Sequence, residues 1–275
     1  MAYLTDYHVH SRFSIDAGGS VLDFARAAHH ANLAEICLTE HVDFVAGDPS
    51  TGFFSPAGYL LALSRAEQRI GSVVTIRRGI ELGIEPETID QSKQVAREAY
   101  FSRLDFVIGS VHTVGGNSLH DEYFHRRTRL GAYEDYFSSI RKAVADTGGL
   151  HLFDVIGHFD VAKRYAPPPY ASGWLEEVWD LVQELLKDLV SHGIGLEINT
   201  SGLRQSPKEQ FPTLRILKAY RDLGGEILTI GSDSHSPEAL AGAVPALLLA
   251  REAAKAAGFV RVTTFHGRKP SFVDL

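Results

Sequence analysis

The sequence contains very little cysteine and no long apolar run. Cys37 is the only cysteine among 275 residues, which excludes a disulfide framework and a thiolate-rich metal site. It lies in the apolar run EICLTE, so we interpret it as a buried strand residue. No apolar stretch approaches the ~20 residues of a membrane-spanning helix, and the N-terminus lacks a basic-then-apolar signal. These absences predict a cytoplasmic protein without a membrane span.

The sequence also lacks an excess of positive charge. Its 27 Lys and Arg residues stand against 34 Asp and Glu residues, a formal net charge of -7. Long nucleic acid is therefore not an expected partner, since nothing attracts a polyanion. An anionic small molecule would need local cations, either metal ions or a few arginines. The residue type in unusual supply is histidine, with thirteen copies.

Short apolar, β-branched runs alternate with helical patterns along the whole chain. Seven runs predict strands: YLTDYHV, AEICLT, VVTIRRGIEL, FVIGSV, FDVIGH, IGLEINT and EILTIGS. One predicted helix begins after an N-cap at Ser20, and the last one contains Pro245, which should kink or split it. Two further helical segments are DQSKQVAREAYFSRL and GWLEEVWDLVQELLKDLVSH. This βα repetition predicts an α/β fold with a parallel sheet.

Nothing in the composition separates the chain into parts. No linker rich in Pro and Gly interrupts the pattern, and 44% of the residues are hydrophobic, so we expect a single domain spanning residues 1–275. The pattern alone leaves a closed barrel and an open doubly wound sheet as alternatives. The placement of the polar residues favours the barrel.

Polar side chains with metal-binding chemistry end the predicted strands. In chain order the strand ends carry His8 and His10, His41, Glu81, His112, His158, Glu197 and Asn199, and Asp233 with His235. In a parallel barrel these ends meet at the C-terminal rim, where the βα loops build an active site. For Glu197 and Asn199, support of a site and packing of the barrel interior are equally consistent with the sequence.

This set of residues suits divalent cations. Imidazole and carboxylate bind Zn, Mn and Fe-type ions. The i, i+2 spacing places His8 and His10 on one face of a strand, and Asp233 and His235 share that spacing. One such histidine alone is usually an ordinary hydrogen-bonded residue. The whole set exceeds the needs of one ion and predicts two or three metals with a bridging carboxylate.

The ordered segments HVH, EH, GIELG, GSVH, GHFD and GSDSH resemble the polymerase and histidinol phosphatase (PHP) family of metallophosphoesterases. The resemblance runs from residue 8 to about residue 236, and GHFDVAKRY and NTSGLR are similar to the histidinol phosphatase branch. It implies a distorted, TIM-like (β/α)7 barrel with a trinuclear metal centre at its C-terminal rim.

The resemblance also implies a ligand set. The first ion would take His8, His10, Glu81 and Asp233; Glu81 would bridge to a second ion held by His112 and His158; a third would take Asp16, His41 and His235. Many family members have histidine where this chain has Asp16. Glu81 and Asp233 would hold the metal-bound hydroxide. The three divalent ions would be Zn, Fe or Mn.

Arg164 and Arg204 match family positions that contact the substrate phosphate. Guanidinium suits this role because it stays charged and binds phosphate oxygens in pairs. Without the family context, an ordinary salt-bridge role competes with this interpretation. The loop at 113–128 departs from the more aromatic loop that the branch leads us to expect.

The function that the resemblance implies is metal-dependent hydrolysis of a small phosphate monoester. The expected substrate is L-histidinol phosphate, giving L-histidinol and inorganic phosphate in histidine biosynthesis, by in-line attack of metal-activated hydroxide. One alternative is a family phosphoesterase acting on nucleotide bisphosphates or short oligonucleotides. Another is a non-catalytic, metal-stabilised scaffold. The sequence leaves the oligomeric state open.

Overall fold

The computed structural model describes residues 3–120, 123–147 and 150–275. Its strands are β1 Thr5–Val9, β2 Glu35–Val42, β3 Thr75–Gly83, β4 Phe106–Ser110, β5 Thr113–Val114, β6 Asn117–Ser118, β7 Val155–Ile156, β8 Gly195–Asn199, β9 Leu228–Gly231, β10 Arg261–His266 and β11 Lys269–Asp274. The main sheet has seven strands in the order β1-β2-β3-β4-β7-β8-β9. Every pair in it is parallel, so the seven predicted strands and their parallel arrangement are confirmed.

The two edge strands of this sheet approach each other. Val9 at the end of β1 forms a parallel bridge with Ser234, just beyond β9. Backbone hydrogen bonds join His10 N to Ser234 O at 2.9 Å and Asp233 N to His8 O at 2.8 Å. The sheet therefore nearly closes into a barrel, which confirms the predicted (β/α)7 fold over an open sheet.

Helices follow the strands and cover the outside of the sheet. They are α1 Val21–His30, α2 Pro56–Ile70, α3 Ile89–Val95, α4 Arg129–Asp146, α5 Ala162–Tyr165, α6 Trp174–Glu177, α7 Trp179–Ser191, α8 Ser201–Arg204, α9 Leu214–Asp222, α10 Pro237–Gly242 and α11 Val244–Ala256. Ser20 caps α1 as predicted, and Asp23 completes a capping box. The last predicted helix is split before Pro245 into α10 and α11, also as predicted.

Two helical predictions differ from the structure, one in length and one in continuity. The pattern DQSKQVAREAYFSRL forms α3 only as far as Val95, followed by turns and a short 3-10 helix at Phe101–Arg103. Residues 97–99 are exposed and so lack the tertiary packing that stabilises short helices. The long pattern beginning at Gly173 is interrupted at Val178, which has φ -113° and ψ 14°.

The C-terminal antiparallel hairpin of β10 and β11 was not predicted from the sequence. Phe265 N donates to the Tyr7 hydroxyl at 2.7 Å, and Arg268 Nε donates to Asp154 Oδ2 at 2.6 Å. Gly267 N donates to Asp105 Oδ1 at 2.9 Å. Asp105 and Asp154 directly precede β4 and β7, so the hairpin contacts the barrel end opposite the strand-end histidines.

The barrel interior beside this hairpin is apolar. Cys37 is fully buried there with Tyr7, Phe106, Ile108, Val155 and Phe265, as its sequence context predicted. Across the described ranges, no helix is both long and apolar enough to cross a membrane.

Candidate metal centre

Glu81 lies at the centre of a ring of histidines at the C-terminal rim. Its Oε1 is 2.9 Å from His158 Nε2 and 3.3 Å from His112 Nε2. Its Oε2 is 3.1 Å from His41 Nδ1 and 3.3 Å from His8 Nε2. Burial alone would raise the pKa of Glu81, but the surrounding imidazoles hold it well below its usual value. A buried, ionised carboxylate that faces several imidazoles has the arrangement of a bridging ligand.

His10 and Asp233 extend this ring towards β1 and β9. His10 Nε2 is 3.5 Å from Asp233 Oδ1 and also 3.5 Å from Glu81 Oε2. Burial, reinforced by the neighbouring imidazoles, holds the pKa of His10 well below its usual value. His10 is therefore neutral near pH 7, and neutral imidazole is the form that binds metal ions. The structure thus brings together the four residues predicted for the first ion.

Asp16 joins the ring from the loop after β1. Its Oδ2 is 3.2 Å from His235 Nε2 and 3.7 Å from His41 Nε2. Burial alone would raise the pKa of Asp16, yet the facing imidazoles of His235 and His41 hold it below its usual value. The ring of His235 stacks on that of His10, with centroids 4.4 Å apart. The residues predicted for a third ion therefore lie together, with His41 also facing Glu81.

These residues form one group, which we call the Glu81 cluster: His8, His10, Asp16, His41, Glu81, His112, His158, Asp233 and His235. Several trios in it offer ligand atoms within 4.8 Å of one another, among them His8, His10 and Asp233, and His41, Glu81 and His112. Within the described part of the chain, His8 Nε2, His10 Nε2 and His41 Nδ1 are buried without a hydrogen-bond partner. Such atoms are costly to bury unless a cation satisfies them. The residues fit divalent metal ions.

Glu197, on β8, orients two members of the Glu81 cluster. Its Oε1 lies 2.7 Å from His8 Nδ1, and its Oε2 accepts from the backbone N of His158 at 2.8 Å. Gly231 makes this approach possible, because a Cβ atom there would lie 2.2 Å from Glu197 Oε1 and 2.4 Å from His8 Cβ. The sequence left two roles open for Glu197, and the structure shows it hydrogen-bonded to a predicted ligand.

Ser14 and Glu40 orient His10, and neither role was predicted from the sequence. Ser14 Oγ donates its only proton to Glu40 Oε2 at 2.7 Å. At its 3.2 Å contact with His10 Nδ1, Ser14 must therefore accept, so the ring proton lies on Nδ1 and Nε2 faces the cluster. The only signal in the sequence was an acidic residue directly before His41.

Asp43 and Glu85 hold His112 in the same way and were also missed. Asp43 Oδ1 is 3.4 Å from His112 Nδ1, and Glu85 Oε1 accepts from the backbone N of His112 at 2.8 Å. Both acids are buried, and burial raises the pKa of Glu85 to about 7. Each acid follows a predicted ligand by a few residues, a spacing that carries no distinctive signal by itself.

Two members of the Glu81 cluster have left-handed backbone conformations. Asp233 has φ 57° and His158 has φ 25°, a region that costs non-glycine residues conformational energy. In both cases the surrounding contacts keep the conformation, including the bond from Asp233 N to His8 O. Strain of this kind is concentrated at functional sites.

A cavity of about 570 Å³ opens onto the Glu81 cluster. Arg164 and Arg204 line it together with Glu81, His112 and Asp233. Arg204 Nη2 donates to Ser232 O at 2.8 Å, and the Arg164 guanidinium carbon lies 4.9 Å from the centre of the Tyr165 ring. The structure therefore places both predicted phosphate-binding arginines beside the cluster.

The atypical loop at 113–128 contributes to the same cavity. Its first part forms the β5–β6 hairpin, and Ser118, Leu119 and His120 line the cavity. The Tyr165 hydroxyl lies 2.8 Å from His120 Nε2. Residues 121 and 122 of this loop lie outside the described residues.

The chain is similar to known proteins in sequence and in fold. The model of the PHP domain family matches residues 6–201. A histidinol-phosphatase from Lactococcus lactis subsp. lactis (strain IL1403) is 31% identical over 266 residues, covering 96% of this chain and 95% of its own. A protein named probable histidinol-phosphatase from Clostridium acetobutylicum is 29% identical and covers 86% of this chain and 88% of its own. A crystal structure of histidinol phosphate phosphatase from Lactococcus lactis, complexed with zinc, L-histidinol and phosphate, aligns with a TM-score of 0.87 and 29% identity, covering 98% of this chain and 100% of that one.

Proposed function

This chain belongs to the PHP domain family, and from that premise we propose that it hydrolyses L-histidinol phosphate to L-histidinol and inorganic phosphate. One observation carries the proposal: a single cavity joins the Glu81 cluster to Arg164 and Arg204. The two guanidinium groups supply the local positive charge that a chain of net charge -7 needs to bind an anion. The reaction would belong to histidine biosynthesis, within one domain that we propose spans residues 1–275.

The proposal includes a metal centre of three Zn, Fe or Mn ions. His8, His10, Glu81 and Asp233 would hold one ion; Glu81, His112 and His158 a second; Asp16, His41 and His235 a third. Divalent ions in such a centre lower the pKa of water and stabilise negative charge on phosphoryl oxygens.

The protein's own groups would bind and orient the ester. Arg164 and Arg204 would bind the phosphoryl oxygens, and their charge would matter most in the transition state. Glu81 and Asp233 would hold the attacking oxygen at the inner end of the cavity. Burial alone would raise the pKa of Asp233, but His8, His235 and His10 lower it strongly. Neither carboxylate is therefore protonated near pH 7, and neither can donate the leaving-group proton.

Two alternative functions must be distinguished from this proposal. A PHP-family phosphoesterase acting on nucleotide bisphosphates or short oligonucleotides would use the same metal centre. A metal-stabilised scaffold would bind metal without turnover, and a missing ligand would favour it. In this chain every ligand position implied by the family carries an imidazole or a carboxylate.

The proposed function is tested by measuring phosphate release after metal exchange. The enzyme would be stripped with chelator, reloaded with Mn, Zn or Fe, and assayed with L-histidinol phosphate beside nucleotide and sugar phosphates. We expect metal-restored turnover with a strong preference for L-histidinol phosphate. Restored activity on other esters alone would keep the metal centre but refute the substrate. No turnover with any metal would favour the scaffold.

A further inference from the structure

A buried lysine connects the two chain segments that carry the cavity arginines. Lys163 Nζ donates hydrogen bonds of 3.0 Å to Asp160 Oδ2, to Glu209 Oε2 and to the backbone O of Gln210. Its side chain is 5% exposed, and all three ammonium protons are used. We call Lys163, Asp160, Glu209 and Gln210 the lysine clamp.

One side of the lysine clamp is continuous with Arg164. Lys163 and Arg164 are neighbours in α5, a helix of four residues. A helix this short is not stable on its own, so tertiary contacts must fix it. Asp160 also accepts from Thr213 N at 3.1 Å, which ties the start of this segment to the same distant region of the chain.

The other side of the lysine clamp packs directly against the helix that carries Arg204. A Cβ atom on Gly202 would lie 2.1 Å from the backbone O of Glu209, so α8 and this segment are in close contact. Phe211 N donates to Asn199 O at 2.9 Å, which joins the same segment to β8. A shift of residues 209–211 would therefore move α8 and Arg204.

The charges of the lysine clamp make it a strong cross-link. Asp160 is fully buried, and Lys163 is its only charged partner among the described residues. Loss of the Lys163 ammonium would leave the buried carboxylate of Asp160 without a positively charged partner, which proteins tolerate poorly. The connection between the two segments thus depends on Lys163 more than on any single neutral contact.

We propose that Lys163 is a positioning residue for phosphate recognition: it sets the distance between the guanidinium groups of Arg164 and Arg204. The inference rests on the proposed role of these arginines. Lys163 does not line the cavity. It acts by holding the two arginines where they can bind one phosphoryl group, and misplacement by about 1 Å can cost up to ~100-fold in rate.

The test measures binding of inorganic phosphate to the metal-loaded enzyme by titration calorimetry. We expect Lys163→Met to weaken phosphate binding by about tenfold or more while the metal content stays the same. Lys187→Met is the matched control, since Lys187 is 54% exposed and, among the residues the structure describes, pairs only with Glu184 on its own helix. The control should bind phosphate like the unmodified enzyme. Unchanged phosphate binding by a folded Lys163→Met variant would overturn the proposal.

A second variant covers the case in which Lys163→Met does not fold. Glu209→Gln removes the negative charge that pairs with Lys163 across the two segments, but it keeps the buried Lys163–Asp160 pair. The Glu209 side chain is 42% exposed. We expect a smaller weakening of phosphate binding with Glu209→Gln, by a few fold. Binding equal to that of the unmodified enzyme in this folded variant would also overturn the proposal.

A double-mutant cycle separates positioning from general damage. In an Arg204→Lys background one guanidinium is gone, so Lys163→Met should weaken phosphate binding less than it does in the unmodified enzyme. Additive losses would refute action through the arginines. If the unmodified enzyme bound no phosphate, the proposed function and the clamp would fail together. Phosphate binding that depends on Lys163, without turnover of L-histidinol phosphate, would refute only the proposed substrate.

Discussion

Glu197 Oε1 lies 2.7 Å from His8 Nδ1, and both side chains are fully buried. An ionised carboxylate only accepts hydrogen bonds, so the ring proton of His8 lies on Nδ1. In the neutral ring, which is the form that binds a metal ion, Nε2 then carries no proton, and it faces Glu81 at 3.3 Å. A residue on β8 thus decides which nitrogen of a β1 histidine is available for a metal ion.

Removal of this carboxylate should weaken metal binding. We expect Glu197→Ala to lower metal affinity by about 10- to 100-fold, because the orientation and tautomer of His8 are no longer held. Competition with a chromogenic chelator measures the affinity. Glu226→Ala, at an exposed position, is the control and should leave it unchanged. Equal affinity for Glu197→Ala and the unmodified protein would show that His8 is held by other contacts.

Loss of a single predicted ligand should abolish catalysis. We expect His10→Ala and Asp233→Ala each to eliminate phosphate release from L-histidinol phosphate while circular dichroism remains native, since both side chains are proposed ligands within the Glu81 cluster. His29→Ala provides a control, because His29 is exposed on α1. Near-normal turnover by either ligand variant would refute the proposed role of that residue.

Metal removal should lower thermal stability as well as activity. His8 Nε2, His10 Nε2 and His41 Nδ1 are buried without a hydrogen-bond partner among the described residues, and ions bound there stabilise only the folded state. At a metal concentration about 100 times the Kd, the stabilisation is ~2.7 kcal/mol per site. Differential scanning calorimetry should show a higher Tm after reloading with Zn or Mn. Mg, which prefers oxygen ligands, serves as the comparison and should raise the Tm less.

The capping box of α1 gives a prediction about stability alone. Ser20→Ala should lower the free energy of unfolding by about 1 kcal/mol, because the N-cap side chain no longer accepts from Asp23 N. Urea denaturation at neutral pH measures this difference. The same change at Ser236, whose side chain accepts from Ala239 N at the start of α10, offers a second N-cap without a capping box.

The effect of Ser20→Ala should also depend on pH. Hydrogen bonds from Ser20 lower the pKa of Asp23. A lowered folded-state pKa contributes stability above the unfolded value of about 3.9, and this contribution disappears as the pH falls through the folded-state pKa. The difference in the free energy of unfolding between Ser20→Ala and the unmodified protein should therefore become smaller below about pH 4. A difference that stays constant between pH 7 and pH 3 would contradict the Ser20–Asp23 interaction.

Much of the candidate site could be predicted because its residues follow local rules. His8 and His10 share a strand face by spacing alone, and the ends of parallel strands meet at one rim in any barrel. The supporting residues could not be predicted in this way. Glu40, Asp43 and Glu85 are acids of ordinary spacing, and only the approach of distant strands shows what each one contacts.

The amino-acid pattern was enough to predict the seven βα units, the start of α1 after Ser20, the split before Pro245 and the strand-end histidines and carboxylates. These features depend on residues close together in the chain. Three features could be seen only in the folded protein: Glu197 orients His8, Lys163 joins the segments of Arg164 and Arg204, and the β10–β11 hairpin contacts the opposite end of the barrel. Each of these depends on contacts between segments far apart in sequence, which only the folded barrel brings within hydrogen-bond distance.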